Sequence, residues 1–182
     1  MLLDLAAGGY DSDLEDVTMG KAKGIKTNAM RVLDGRKVPY EAHRFDDTIR
    51  SADSVARTLD VPEHEVFKTL VVLSETVGKK PMLVMVPANR ELDLRRFARA
   101  AGEKAVRMAT QREAEALTGL KVGGISALAL PGRGFAIYLD ATASALASLY
   151  VSGGQRGVDL HLTVADLLAV TGATVVEATG ED

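Results

Sequence analysis

The chain contains no cysteine and no tryptophan, three histidines, and only four Phe and four Tyr among 182 residues. Without cysteine there is no disulfide, no thiolate metal site and no catalytic thiol. His43, His64 and His161 form no His-x-x-x-His pair, so no dedicated zinc or iron site is expected, and no cofactor. No apolar run approaches the roughly 20 residues of a membrane-spanning helix. The start of the chain meets Asp4 at once and has no basic flank, so it does not read as a signal peptide. These absences predict a soluble, cytoplasmic protein without a membrane partner. The Gly-x-x-x-x-Gly-Lys-Ser/Thr phosphate loop, the dinucleotide fingerprint and the Gly-x-Ser-x-Gly nucleophile elbow are also missing.

What is present is ordinary globular composition, 47% hydrophobic and 26% charged, with a core that must come from Leu, Val and Ala. The length suits one domain with a substantial core. Charge is unevenly placed. Residues 1–18 carry Asp4, Asp11, Asp13, Glu15 and Asp16 and no basic residue; with the whole chain at −3, the remainder carries +2. Residues 1–20 therefore read as a disordered acidic extension and 21–182 as the domain. The mild basicity of the domain is compatible with an RNA partner but does not by itself make a nucleic-acid binder.

Local signals predict an α/β (α+β) domain, a mixed and mostly antiparallel sheet or open barrel with helices packed around it. Thr27 caps a short helix ending near Gly35, Val38–Phe45 reads as a strand, and Ser51 opens a helix closed before Pro62. Val66–Leu73 and Pro81–Val86 read as a buried hairpin. Leu94, Phe97, Ala98 and Ala101 keep helical spacing, and Thr110 with Glu113 makes a capping box for a helix stopping at Gly119. Strands follow at Phe135–Leu139, Ala147–Ser152 and Val158–Leu162, then a helix from Thr163 and a strand over Ala173–Glu177.

Lys68 carries the most information. It interrupts the apolar strand Val66-Phe67-Lys68-Thr69-Leu70-Val71-Val72-Leu73, and alternation sets it on the face of Val66, Leu70 and Val72. An ammonium there needs an anion or an escape to water. Three further places qualify as candidates. Gly123-Gly124-Ile125-Ser126 offers loop amides for an oxyanion, against a plain glycine turn. Ser152-Gly153-Gly154-Gln155-Arg156-Gly157 has the composition of an anion nest, against an ordinary hairpin loop. Asp140 ends an apolar strand, where a carboxylate serves either a site or the cap of the next segment. No nucleophile–base pair is visible.

These blocks, with Val86-Pro87, Leu92-Asp93-Leu94, Thr118–Ser126, Leu139-Asp140 and Tyr150–Gly157 in one order, resemble the YbaK/EbsC group of the prolyl-tRNA-synthetase-associated editing-domain family over roughly residues 25–178. The resemblance implies a deacylase that hydrolyses mischarged tRNA, with Cys-tRNA(Pro) the first substrate to consider and prolyl-tRNA synthetase a candidate second partner. It implies that Lys68 is essential, that Gly123 and Gly124 contact the aminoacyl group, and that Phe45, Thr69, Ser126, Asp140, Ser152, Gly153 and Gly154 line the pocket. Cysteine-specific members use the substrate's own thiol as nucleophile. Two positions depart from the pattern: Phe45 stands where tyrosine is usual, and Ala127 where proline is usual. Both departures leave the amino acid open, alanine included. A non-catalytic nucleotide- or tRNA-binding module and a synthetase-docking accessory subunit remain as alternatives.

Overall fold

The computed structural model describes residues 24–180, so the acidic extension falls outside the described residues. Eight strands form one mixed sheet: β1 (Glu41–Arg44), β2 (Val66–Ser74), β3 (Met82–Pro87), β4 (Val106–Met108), β5 (Ala136–Asp140), β6 (Ser148–Gln155), β7 (Val158–Thr163) and β8 (Thr174–Val176). Their order is β1-β7-β6-β2-β3-β5-β8, with β4 also paired to β2. The pairs β1·β7, β6·β7, β2·β3 and β2·β4 are antiparallel, while β2·β6, β3·β5 and β5·β8 are parallel. Five α-helices pack around the sheet: α1 (Asn28–Gly35), α2 (Ala52–Leu59), α3 (Leu94–Ala100), α4 (Gln111–Thr118) and α5 (Val164–Thr171).

The element boundaries follow from local chemistry. Thr27, Thr110 and Thr163 each accept a backbone N–H of the first helical turn, and Thr110 with Glu113 forms the full capping box. Asp93 caps α3 by accepting from Arg95 and Arg96 N–H. Ser51 stands at the N-cap of α2 as expected, with its hydroxyl on the Ser54 hydroxyl at 2.8 Å rather than on a backbone amide. The strand expected from Val38 begins only at Glu41. Pairing with β7 starts at Glu41↔His161 although β7 itself continues through Thr163, and Pro39, which has no N–H to donate, stands where the ladder would extend.

Two faces of the sheet differ in a way that creates the site. On one, Phe67, Val71, Leu83, Met85, Leu139, Leu149, Val151 and Leu160 join α1, α4 and α5 in one continuous core. On the other, the apolar cover is split. Helix α3 packs Phe97 and Ala98 over Val72, Met82, Val84 and Val86, and α2 packs Val55 and Ala56 over Val66 and Tyr150. Lys68 lies between these two clusters, cross-strand from Val86.

Candidate active site

A break in sheet pairing opens the cleft. Strand β6 is in register with β2 only at Val66↔Tyr150 and Phe67↔Val151, and β4 takes over the same edge at Val72–Ser74, with the Ala109 amide donating to Val71 O at 2.9 Å. The edge from Lys68 to Leu70 is left uncovered. A cavity of about 470 Å³ occupies the gap, within the range of small-ligand sites. Its walls are Lys68, Thr69 and Leu70 from β2, Arg50–Asp53 at the start of α2, Glu91, the loop residues Val122, Gly123 and Ile125, and Ser152 and Asp159.

Lys68 is partly buried, 23% exposed, and its Nζ donates to Glu91 Oε1 at 2.8 Å. Its head meets Glu91 at the cleft instead of entering the core. Thr69 points to the opposite face but borders the cavity because that edge of β2 is bare. Its Oγ1 is buried without a hydrogen-bond partner. An unmet hydroxyl of this kind costs about 1–3 kcal/mol.

Asp159 is the residue that sequence reasoning missed. It sits directly across β6–β7 from Ser152, so the two side chains share the face that carries Lys68. Its side chain has no ion pair or hydrogen bond among the described residues, and burial alone pushes its pKa up to about 7. A carboxyl of that kind is half ionised near neutrality and can take or give a proton there. The signal was present: Asp159 is the one acid within the alternating run Val158-x-Leu160-x-Leu162, opposite a serine already singled out.

The two glycine loops are folded onto one another. Gly124 approaches so closely that a Cβ there would fall 2.6 Å from Arg156 N and 2.7 Å from Gln155 C. Arg156 Nε donates to Val122 O at 2.8 Å from the other side. Gly123 takes φ +90°, which a side chain rarely adopts. Gly123 lines the cleft and its amide has no partner among the described residues, whereas the Gly124 amide donates to Lys121 O at 2.8 Å. Of the two expected oxyanion donors, one is therefore committed to closing its own turn.

Other expected site residues sit behind this wall. Asp140, 1% exposed, does not line the cleft; it accepts from Thr142 N and Oγ1 (3.0 and 2.6 Å) and from the Ala178 and Thr179 amides (both 2.9 Å). It takes the capping role and also ties the C-terminal segment to β5. Phe45 packs with the α2 cluster beside Val55 and Val66, one layer from the cleft. Ser126 is buried with an unpartnered Oγ, and Gly153 and Gly154 lie in the β6 arm of the β6–β7 hairpin, where a Cβ on Gly153 would meet Val158 Cγ1 at 2.7 Å. Ala127, in the usual proline place, is 2% exposed and opens a 3-10 turn, so packing fixes the loop there. No group of three or more potential metal ligands gathers among the described residues. No helix among them is long and apolar enough to cross a membrane.

Fold and cleft together describe an α/β domain with a polar cleft, lined by Lys68, at a sheet seam. A family model described as aminoacyl-tRNA editing domain matches residues 46–170. The chain is 36% identical over 159 residues to the Enterococcus faecalis protein named "Putative Cys-tRNA(Pro)/Cys-tRNA(Cys) deacylase EbsC", covering 86% of this chain and 95% of that one. It is 29% identical over 154 residues to the proline–tRNA ligase of Streptococcus equi subsp. equi, spanning 85% of this chain but 23% of that longer enzyme. A crystal structure described as "a putative trans-editing enzyme for prolyl tRNA synthetase" superposes with a TM-score of 0.72 at 26% identity, covering 87% of this chain and 100% of that one. The chain belongs to the aminoacyl-tRNA editing domain family, in its YbaK/EbsC group.

Proposed function

We propose that this protein is a trans-editing hydrolase that cleaves the aminoacyl ester of mischarged tRNA, with Cys-tRNA(Pro) as its substrate. The observation that carries this reading is the convergence of Lys68, the free Gly123 amide, Ser152 and Asp159 on one cleft at the β2–β6 seam. The name carried by the Enterococcus faecalis relative supports the choice of cysteine, and the match to part of a proline–tRNA ligase supports tRNA-Pro. Action on that substrate places the protein in the cytoplasm, with prolyl-tRNA synthetase as a candidate partner.

In this reading the 3′ aminoacyl adenosine enters beside Lys68, whose ammonium meets the terminal phosphate or an ester oxygen. The nucleophile is the substrate's own thiol or a bound water, and Asp159 takes its proton, a task suited to a carboxyl with a pKa of about 7. The nucleophile's lone pair then forms a bond to the ester carbonyl carbon, and negative charge moves to the carbonyl oxygen. The Gly123 N–H stabilises that oxygen, in a cleft where water is reduced and a hydrogen bond counts for more. Collapse breaks the bond to the ribose oxygen, which leaves with the proton held by Asp159. With the thiol as nucleophile the first product is a cyclic thioester, and water opens it to free cysteine.

The test is deacylation of Cys-tRNA(Pro) and Ala-tRNA(Pro), side by side, by wild type and Lys68→Ala. Cysteine release that vanishes in the variant supports the reading, and alanine release assigns the cleft a different amino acid. If neither ester is cleaved faster than in buffer, with prolyl-tRNA synthetase added, the deacylase reading fails.

A further inference from the structure

Lys68 and Glu91 form an ion pair whose two ends sit in very different surroundings. The lysine side chain is 23% exposed and fixed by its strand, while the glutamate side chain is 89% exposed. The backbone under Glu91 is pinned. Ala88 N donates to Val66 O at 2.7 Å, Asp93 N donates to Ala178 O at 2.9 Å, and Leu92 pairs with Thr179. Only the Glu91 side chain is free to swing. Moving a carboxylate from the cleft mouth into water costs it little, because it is already largely hydrated. Lys68 is the less hydrated of the two and gains more from an anion beside it.

From this asymmetry we propose that Glu91 is a displaceable counter-ion: it neutralises Lys68 in the empty cleft and yields to an anion that the ligand brings. This rests on the reading of the Lys68 cleft as the substrate site and deepens it by naming a selectivity device. A ligand carrying a phosphate beside its ester replaces Glu91 at Lys68. A neutral ester or nucleoside offers no replacement and gains nothing from the lysine. Selection for a nucleotide-borne ester over free amino-acid esters then comes from competition inside the cleft, with no contact to the amino acid required. Near the exchange, Asp53 is held by Arg57 at 2.7 Å, Asp93 caps α3, and Asp159 lines the cleft without an ion pair among the described residues, so Glu91 is the carboxylate in contact with Lys68.

The experiment titrates AMP, with adenosine as the uncharged control, into the full chain at low ionic strength by calorimetry. It compares wild type, Glu91→Gln, Lys68→Met and the double variant, each first checked by thermal melting. Glu91→Gln is expected to bind AMP about two- to fivefold more tightly than wild type, the range an exposed ion pair allows, and adenosine is expected to bind both alike. In the Lys68→Met background the same substitution is expected to change nothing, because the two side chains act as a coupled pair. Unchanged or weaker AMP binding by Glu91→Gln overturns the proposal. So does equal tightening with and without Lys68, or AMP binding to neither protein. No ester is cleaved in this measurement, so its outcome is separate from that of the deacylation assay.

Discussion

Replacing Asp159 with asparagine isolates one charge whose burial the fold does not compensate. The carboxyl rises from an ordinary 3.8 to about 7 through desolvation alone. Its protonated form is therefore the one the native state favours. Protonation adds stability that is fully present below about pH 4 and is lost as pH rises through 7. A shift of about three units at about 1.4 kcal/mol each puts that loss near 4 kcal/mol, a ceiling because the cleft admits water. Asparagine keeps the shape and never ionises. The two proteins should be similarly stable at pH 4, and the variant should pull ahead between pH 4 and 7 and hold its lead above. For a domain of this size that ceiling corresponds to a melting temperature at most about 8–16 °C higher at pH 8. Thermal melts of both proteins at half-unit pH steps measure it, and the effects of all other carboxylates cancel in the difference. Parallel curves with a constant gap would refute the claim that Asp159 is buried without compensation. The same variant should lose most deacylation and, with it, the acid limb of kcat/KM centred near pH 7.

Three further outcomes follow from the site's supports. Asp140→Ala should destabilise the protein by about 3 kcal/mol or more, since it orphans the Ala178 and Thr179 amides, and denaturant melts measure this. Turnover per folded molecule should fall far less than in Lys68→Ala, because Asp140 does not line the cleft; comparable losses would return it to the chemistry. Gly124→Ala should separate the two glycine loops, since its Cβ would fall 2.6 Å from Arg156 N, and should impair ester cleavage. Gly35→Ala, with open space around it and, like Gly124, no positive φ, provides the control, read by activity after matching the folded fraction. Thr110→Ala should cost about 1 kcal/mol through loss of the α4 cap, read by urea unfolding, with ester cleavage unaffected.

Much of the fold was legible because local chemistry and tertiary packing agree. The threonine caps, the Thr110–Glu113 box and the alternation around Lys68 use contacts within a few residues, and each element appears where these signals place it. The β2–β3 hairpin follows for the same reason, since its strands are joined by a short turn. The exception at Val38–Tyr40 turned on where pairing with a distant strand begins, which local pattern does not report. Within the site, Lys68 was visible as a charge inside an apolar strand, and Ser152 and Gly123 as parts of unusual loops. Asp159 was obscured because a single acid in an alternating strand resembles a solvent-facing position.

The sequence alone determined the class of fold, the family, and the lysine on which the cleft is centred, since these rest on periodicity, caps and motifs written in consecutive residues. Tertiary structure decided which residues share the cleft. The parting of β6 from β2 after Phe67–Val151 brings Asp159 and Ser152 to Lys68, although 91 residues separate Lys68 from Asp159 in the chain. It also turned Asp140 inward to hold the C-terminal segment, committed the Gly124 amide to its own turn, and set an exposed Glu91 on a partly buried lysine. Burial and pairing across such distances depend on strand order and register, which no local pattern encodes.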